Sequence, residues 1–222
     1  MPAQAGVQPQ PLGDGGPAQA QLPPRPALEA VVAEGLGHHV EESAPFALDE
    51  HEQQSQRFTH VVAVSTAADL ADLERLAGRP LTDADIEIDN LKLAAWGRSI
   101  LGPDYLESVA WLRSWSRRVV QWWTDGFDLL LTPTLAAPPA RLGELAGPGG
   151  GTRMRAWLQF TAQFNLTGQP AISLPVHWNA AGLPVGVQFV AAPFREDVLV
   201  GLGAQVEAAV DWTRRRPPVA ES

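Results

Sequence analysis

Apolar positions along this chain keep a helical spacing up to Trp123 and change at Gly126, where short continuous runs take over. Between Asp49 and Gly78 the apolar side is Val61, Val62, Val64, Leu70, Leu73 and Leu76, and Gly78 and Pro80 close the block. Thr82 has N-cap chemistry, and Asp83 and Asp85 stand where a helix dipole favours negative charge. A second helix is therefore expected from Thr82 through Ile86, Leu91 and Leu93 to Ile100, broken by Gly102-Pro103-Asp104. Tyr105 to about Trp123 reads as a long amphipathic helix with Trp111, Trp115 and Trp122 as a core stripe. Phe127–Thr132 is almost wholly apolar and bounded by Gly and Pro, as in a strand buried on both faces. A loop over Pro138–Gly151 and a helix over Thr152–Asn165 follow. Strands over Ala171–Trp178 and Val185–Ala191, a helix over Arg195–Val210 and a polar tail over Thr213–Ser222 complete the pattern. Strands alternating with helices, and strands apolar throughout, predict an α/β sheet covered on both faces.

The first residues differ. Residues 1–26 are rich in Pro, Gln, Gly and Ala, with almost no large apolar side chains to offset ordering entropy, so disorder is expected there. Ala27–Leu36 then has a helical pattern through Leu28, Val31, Val32 and Leu36, with Gly35 or Gly37 to end it. His38–Val40 reads as a short strand.

Composition narrows the chemistry. A formal net charge of −9 argues against a nucleic-acid or anionic-membrane surface. Cysteine is absent, which removes disulfides, zinc-thiolate sites, iron–sulfur clusters and a cysteine nucleophile. No apolar run is long enough to span a bilayer, and the start does not read as a signal peptide, so a cytoplasmic location is expected. Lys92 is the only lysine, so a lysine base can only be Lys92. His38 and His39 are adjacent on a strand and point to opposite faces, and His51 and His60 lack ligand spacing; no metal site and no cofactor are expected. Arg113, Arg117 and Arg118 read as a solvated helix face.

Three blocks carry a family resemblance. They are Phe127-Asp128-Leu129-Leu130-Leu131-Thr132-Pro133-Thr134, then Phe164-Asn165-Leu166-Thr167-Gly168-Gln169-Pro170-Ala171-Ile172-Ser173-Leu174-Pro175, then Gly182-Leu183-Pro184-Val185-Gly186-Val187-Gln188-Phe189-Val190. In this order and spacing they resemble the C-terminal end of the amidase-signature family. Gly37-His38-His39-Val40-Glu41-Glu42 resembles that family's mid-chain helix–strand step. The resemblance implies an α/β architecture, a partial amidase-signature fold with a mixed sheet covered by helices on both faces. It divides the chain into a disordered segment over residues 1–26, the C-terminal part of the family's domain over 27–218 and a tail over 219–222. Phe160, Phe164, Asn165, Thr167 and Gly168 are the candidates for a substrate pocket, with Gln188 beside them; Asn165 and Thr167 fit helix capping equally well.

The same resemblance raises a conflict over activity. Amidase-signature enzymes use a Ser–cis-Ser–Lys triad in a Gly/Ser-rich region, where a lysine accepts the nucleophile's proton through the bridging serine. This sequence has no Ser-Ser step, and its run Gly147-Pro148-Gly149-Gly150-Gly151 has no serine. Ser99 lies seven positions beyond Lys92, roughly 10 Å of helical rise and too far for proton transfer, whereas Asp89 is placed to pair with Lys92. Ser173 is expected to pack within the sheet. No catalytic residue carries over. Three readings stand: a truncated amidase chain inactive alone, one half of a split amidase completed by a partner chain, or a non-catalytic binding protein that self-associates through an open sheet edge. An amide substrate is implied only if a catalytic half completes the chain. The apolar Trp157, Leu158, Phe160 and Phe164, with no acidic residue between Thr152 and Ile172, favour an apolar amide.

Overall fold

The structure is a computed structural model and describes residues 2–5, 33–145 and 149–215. In chain order its strands and α-helices are β1 (Pro2–Ala5), β2 (His39–Glu42), α1 (His51–Ala77), α2 (Ile88–Gly97), α3 (Gly102–Gln121), β3 (Leu129–Pro133), α4 (Gly150–Trp157), α5 (Ala162–Thr167), β4 (Ala171–Trp178), β5 (Pro184–Ala191) and α6 (Glu196–Val210). They fall into two compact units, a helical one over residues 46–119 and a sheet unit drawn from residues 1–45 and 120–222.

In the helical unit, α1 runs the full length its apolar spacing predicts and ends on Gly78, whose φ of 68° gives the left-handed cap glycine adopts at little cost. Ala67, Leu70 and Ala94 are buried together, with Leu81, Ile86 and Leu91 packed against them. The small residues let α1 and α2 come close: a Cβ built on Gly97 would lie 2.0 Å from the carbonyl oxygen of Ala63. Thr82 behaves differently from the sequence expectation. It exchanges hydrogen bonds with Asp85, through its backbone N–H and its hydroxyl, both at 3.0 Å, but these close a turn and the helix begins only at Ile88. Asp85 is also held bidentate by Arg79 at 2.9 and 2.7 Å, which pulls the carboxylate out of the helical track. Gly102-Pro103-Asp104 does separate two helices, but as the first turn of α3, where Pro lacks only an N–H that would be unpaired anyway. Ser108, Leu112, Trp115 and Val119 form the buried stripe of α3, and the indole N–H of Trp115 donates to the Ala47 carbonyl at 2.7 Å.

The sheet unit holds a mixed sheet in the order β2-β1-β3-β5-β4. β1 is parallel to β2 and β3, while β5 is antiparallel to β3 and β4. Alternation sorts the two faces. Leu129, Leu131, Leu174, Val176, Val187, Phe189 and Ala191 pack with Leu199, Leu202 and Val206 of α6, each within a few per cent of full burial. Burying one such side chain contributes about 1.5–3 kcal/mol, so this face is the main source of the unit's stability. The turn between β4 and β5 is fixed by Asn179, whose Oδ1 accepts from the N–H groups of Ala181 and Leu183, and by Gly182 at φ 76°. Ahead of β3, Trp122 stacks on Phe127 at 4.2 Å and donates to Ser43 Oγ at 3.1 Å.

Two further expectations change here. Of residues 1–26, expected to be disordered, Pro2–Ala5 form β1 and the others lie outside the described residues. A β-ladder is made of backbone groups, so composition alone does not keep a segment out of one. The helix expected over Thr152–Asn165 is broken in two, with a 3-10 turn at Leu158–Phe160 between α4 and α5. Residues 27–32 of the first expected helix and residues 216–222 of the tail also lie outside the described residues.

Candidate functional site

The face of the sheet away from α6 carries a polar row. Thr132 pairs in register with Gln188, and Gln188 with Ser173, so three polar side chains align across β3, β5 and β4. Gln188 is buried, and its Nε2 donates to Thr132 Oγ1 at 3.1 Å and to the Phe160 carbonyl at 2.8 Å. That second bond ties the 3-10 turn after α4 onto the sheet. One residue beyond β3, the Thr134 N–H donates to the Gly186 carbonyl at 3.1 Å and extends the ladder. Thr134 Oγ1 and Ser173 Oγ then lie 2.6 Å apart. Because β5 runs between their two strands, these hydroxyls meet across Gly186, where an added Cβ would lie 3.0 Å from each oxygen. Gly186 is therefore the opening through which two flanking strands share a hydrogen bond. One hydroxyl must donate to the other, so the pair retains one O–H proton to give outward, together with acceptor lone pairs.

Surrounding contacts hold this face in place. The Ala136 N–H donates to the Trp157 carbonyl at 3.3 Å, anchoring the loop after β3 to the end of α4. Gln169 is buried, and its Nε2 donates to the Ala191 carbonyl at 2.8 Å, while the Ala191 N–H donates to the Pro170 carbonyl at 3.1 Å. Together they fix how the chain enters β4. The other end of the Gln169 amide, Oε1, is buried with no hydrogen-bond partner among the described residues. Where the chain leaves β5, the Arg195 guanidinium bonded to Asp197 holds that carboxyl below its ordinary value.

The pocket candidates separate by position. Phe160 and Phe164 are both 4% exposed, and it is the Phe160 carbonyl that meets the polar row, through Gln188. Thr167 bonds back to the Phe164 carbonyl at 3.4 Å, and Gly168 ends α5 in the left-handed conformation with φ 68°. Asn165 is exposed. Ser173, expected to pack inside the sheet, is exposed and bonded to Thr134. The signal for Thr134 is present in the sequence, because Thr132 and Thr134 share a strand face by period two across Pro133. That Ser173 and Gln188 join them depends on strand register, which no local pattern records.

Lys92 is 70% exposed and pairs with Asp89 at 3.3 Å, as its spacing predicts. Among the described residues, no group of three or more His, Asp or Glu could hold a metal ion, and no helix is long and apolar enough to cross a membrane.

A mixed sheet with an apolar face against one helix and a hydroxyl-bearing face on the other defines the sheet-bearing portion of an α/β protein. The sequence profile of the family described as Amidase matches residues 29–200. The chain is 36% identical over 206 residues to the 6-aminohexanoate-cyclic-dimer hydrolase of Pseudomonas sp. (strain NK87), covering 87% of this chain and 41% of that protein. The solved structure of 6-aminohexanoate cyclic dimer hydrolase superposes with a TM-score of 0.78 at 34% identity, over 86% of this chain and 41% of that one. A bacterial aryl acylamidase of the amidase-signature family superposes with a TM-score of 0.71 at 26% identity, over 85% and 41%. The chain belongs to the amidase-signature family. It spans about two fifths of the length of these relatives.

Proposed function

We propose that this chain forms the sheet and part of the substrate-facing wall of an amide hydrolase, and that it does not hydrolyse amides by itself. The observation that carries the reading is the state of its only lysine. Lys92 is exposed and committed to Asp89, and the sequence contains no Ser-Ser step to relay a proton to it. The exposed serine of the polar row, Ser173, is bonded to a threonine hydroxyl, and no base is bonded to it among the described residues. A serine nucleophile needs an adjacent base to be activated at neutral pH. The nucleophile and base of a family-type reaction would therefore come from sequence outside these 222 residues.

The substrate class follows from the relatives and from the wall itself. Proteins similar to this chain are hydrolases of a cyclic amide dimer, and the segment holding Trp157, Phe160 and Phe164 is apolar and carries no acidic partner for a substrate ammonium group. An aliphatic or cyclic amide fits that wall. Phe160, Phe164 and Asn165 are its proposed contacts, with Thr167 and Gly168 setting the helix end beside them. A cytoplasmic protein agrees with the cysteine-free sequence.

The test is direct. The purified chain is incubated with the 6-aminohexanoate cyclic dimer and with a simple aliphatic amide, and amine release is measured beside Lys92→Ala and Ser173→Ala variants. No turnover is expected from any of the three. Turnover that either substitution abolishes would overturn the proposal.

A further inference from the structure

One buried hydroxyl organises the contact between α1 and α3 in the helical unit. Ser108 of α3 is 0% exposed, so its hydroxyl must find partners inside the protein. Among the described residues it has two side-chain partners, both on α1 and one turn apart. Arg57 Nη1 lies 3.4 Å from Ser108 Oγ, and His60 Nδ1 lies 3.1 Å from it. A guanidinium only donates, so the Ser108 proton has one place to go. Ser108 therefore donates to His60 Nδ1, and the neutral His60 ring carries its own proton on Nε2. Donation from Arg57 into the same oxygen polarises that O–H and strengthens its bond to the ring.

Charge makes this arrangement conditional. Protonation turns Nδ1 from an acceptor into a donor. Ser108 Oγ would then face two cationic donors, and its own proton would be left buried without an acceptor. The carboxylate beside the cluster, Glu107 of α3, is already bonded to Arg57 Nη2 at 2.8 Å. Asp104, one turn before Ser108, is exposed. On α2 the Trp96 ring meets His60, with centroids 5.4 Å apart and planes at 72°. The charged residues nearest Trp96 along the chain are paired elsewhere, Lys92 with Asp89 at 3.3 Å and Arg98 with Glu74 at 3.7 Å. No carboxylate is thus bonded to His60 to offset a charge on its ring. We infer that His60 is an acid-sensitive latch: neutral, it ties α3 to α1, and protonated, it releases Ser108 and loosens that contact. Histidine suits the task because its charge changes between about pH 5 and 8. The latch lies wholly within residues 46–119 and stands whether or not the chain turns over amides.

Two measurements on the full chain test the latch. Long-range proton–nitrogen NMR of the His60 ring at about pH 7.5 reads the tautomer, and a bare Nδ1 with the proton on Nε2 is expected. Hydrogen exchange at about pH 7.5 and about pH 5.5, corrected for its intrinsic pH dependence, reads the contact. In the wild-type chain the amides of residues 57–64 and 105–112 are expected to lose protection at least about tenfold at the lower pH, while β3 and β5 keep theirs. The side-chain carbonyl of His60→Gln still accepts from Ser108 but carries no charge at either pH, so its loss is expected to stay below about twofold. His51, exposed in the first turn of α1, is the same in both proteins, so the comparison isolates His60. Ser108→Ala is the second variant; it removes the hydroxyl that protonation strands and should blunt the acid response in the same way. A ring protonated on Nδ1 at the higher pH would overturn the proposal. So would wild-type protection that is equal at the two pH values or greater in acid, or an acid response that both variants keep at full size.

Discussion

Replacing Gly97 by alanine tests the packing of the helical unit at its tightest point. A Cβ at position 97 would lie 2.0 Å from the Ala63 carbonyl oxygen, 2.4 Å from its carbon and 2.9 Å from the Val64 nitrogen. All three atoms are backbone, so no rotamer change relieves the contact. Reaching the ordinary range, which begins at 3.4 Å, requires α1 and α2 to separate by about 1.4 Å. Overpacking of this kind costs about 1–3 kcal/mol, and a backbone clash belongs at the upper end. Alanine returns roughly 1 kcal/mol through its better helix propensity, which leaves a net loss of about 2 kcal/mol. For a chain of this size that lowers the thermal midpoint by about 4–8 °C. Gly201→Ala is the control. It makes the same change in the exposed part of α6, where an added Cβ meets nothing within 4 Å, so only the propensity gain of roughly 1 kcal/mol remains. Far-UV circular dichroism melts would give the two midpoints, and hydrogen exchange over α1 and α2 would localise the first. A Gly97→Ala protein as stable as wild type, with unchanged exchange in α1, would refute the close-packing argument.

Other expected outcomes follow from contacts in each unit. Ser108 is buried between the His60 ring at 3.1 Å and Arg57 at 3.4 Å, so Ser108→Ala should destabilise the chain by about 1–3 kcal/mol, measured by urea unfolding. Gln188→Met removes the donor to the Phe160 carbonyl; a loss of about 1–3 kcal/mol is expected, with faster exchange in the turn after α4, and an unchanged turn would contradict the role assigned to that bond. Arg79 and the N–H and hydroxyl of Thr82 hold the Asp85 carboxyl well below the usual range, so its contribution is fully present above the unfolded carboxyl value of about 3.9 and fades as pH falls through the folded value. Asp85→Asn should therefore matter at neutral pH and progressively less below about pH 4, as read from midpoints across a pH series.

How much of this was legible in the chain depended on whether the signal was local. Gly78 announced the end of its helix because that position must take a positive φ, and a single residue type reports that. The runs that became β3, β4 and β5 were readable because burial on a face imposes apolar residues along it. Thr82 misled because the same side chains that cap a helix can close a turn, as they do here with Asp85, which Arg79 also holds. Ser173 misled because whether a strand residue is covered depends on which element lies over it, and here its neighbour is a threonine more than thirty positions away. The family resemblance was legible where three turn-bounded strands keep their order. The contacts around the polar row were less so, because Gln188 and Phe160 meet through a side chain and a carbonyl that no spacing rule connects.

The strand order β3-β5-β4 also has a consequence in time. β3 ends at Pro133, but its antiparallel partner ends at Ala191, so a nascent chain exposes one of its most apolar segments long before the matching edge exists. At about 5–20 residues per second, translation would take roughly 3–12 s to close that gap. The hairpin of β4 and β5 would then form within about 1–10 μs. During those seconds Leu129, Leu130 and Leu131 are open to any other extended chain, which makes synthesis, more than the finished molecule, the stage at which this protein is most exposed to aggregation and to chaperone capture.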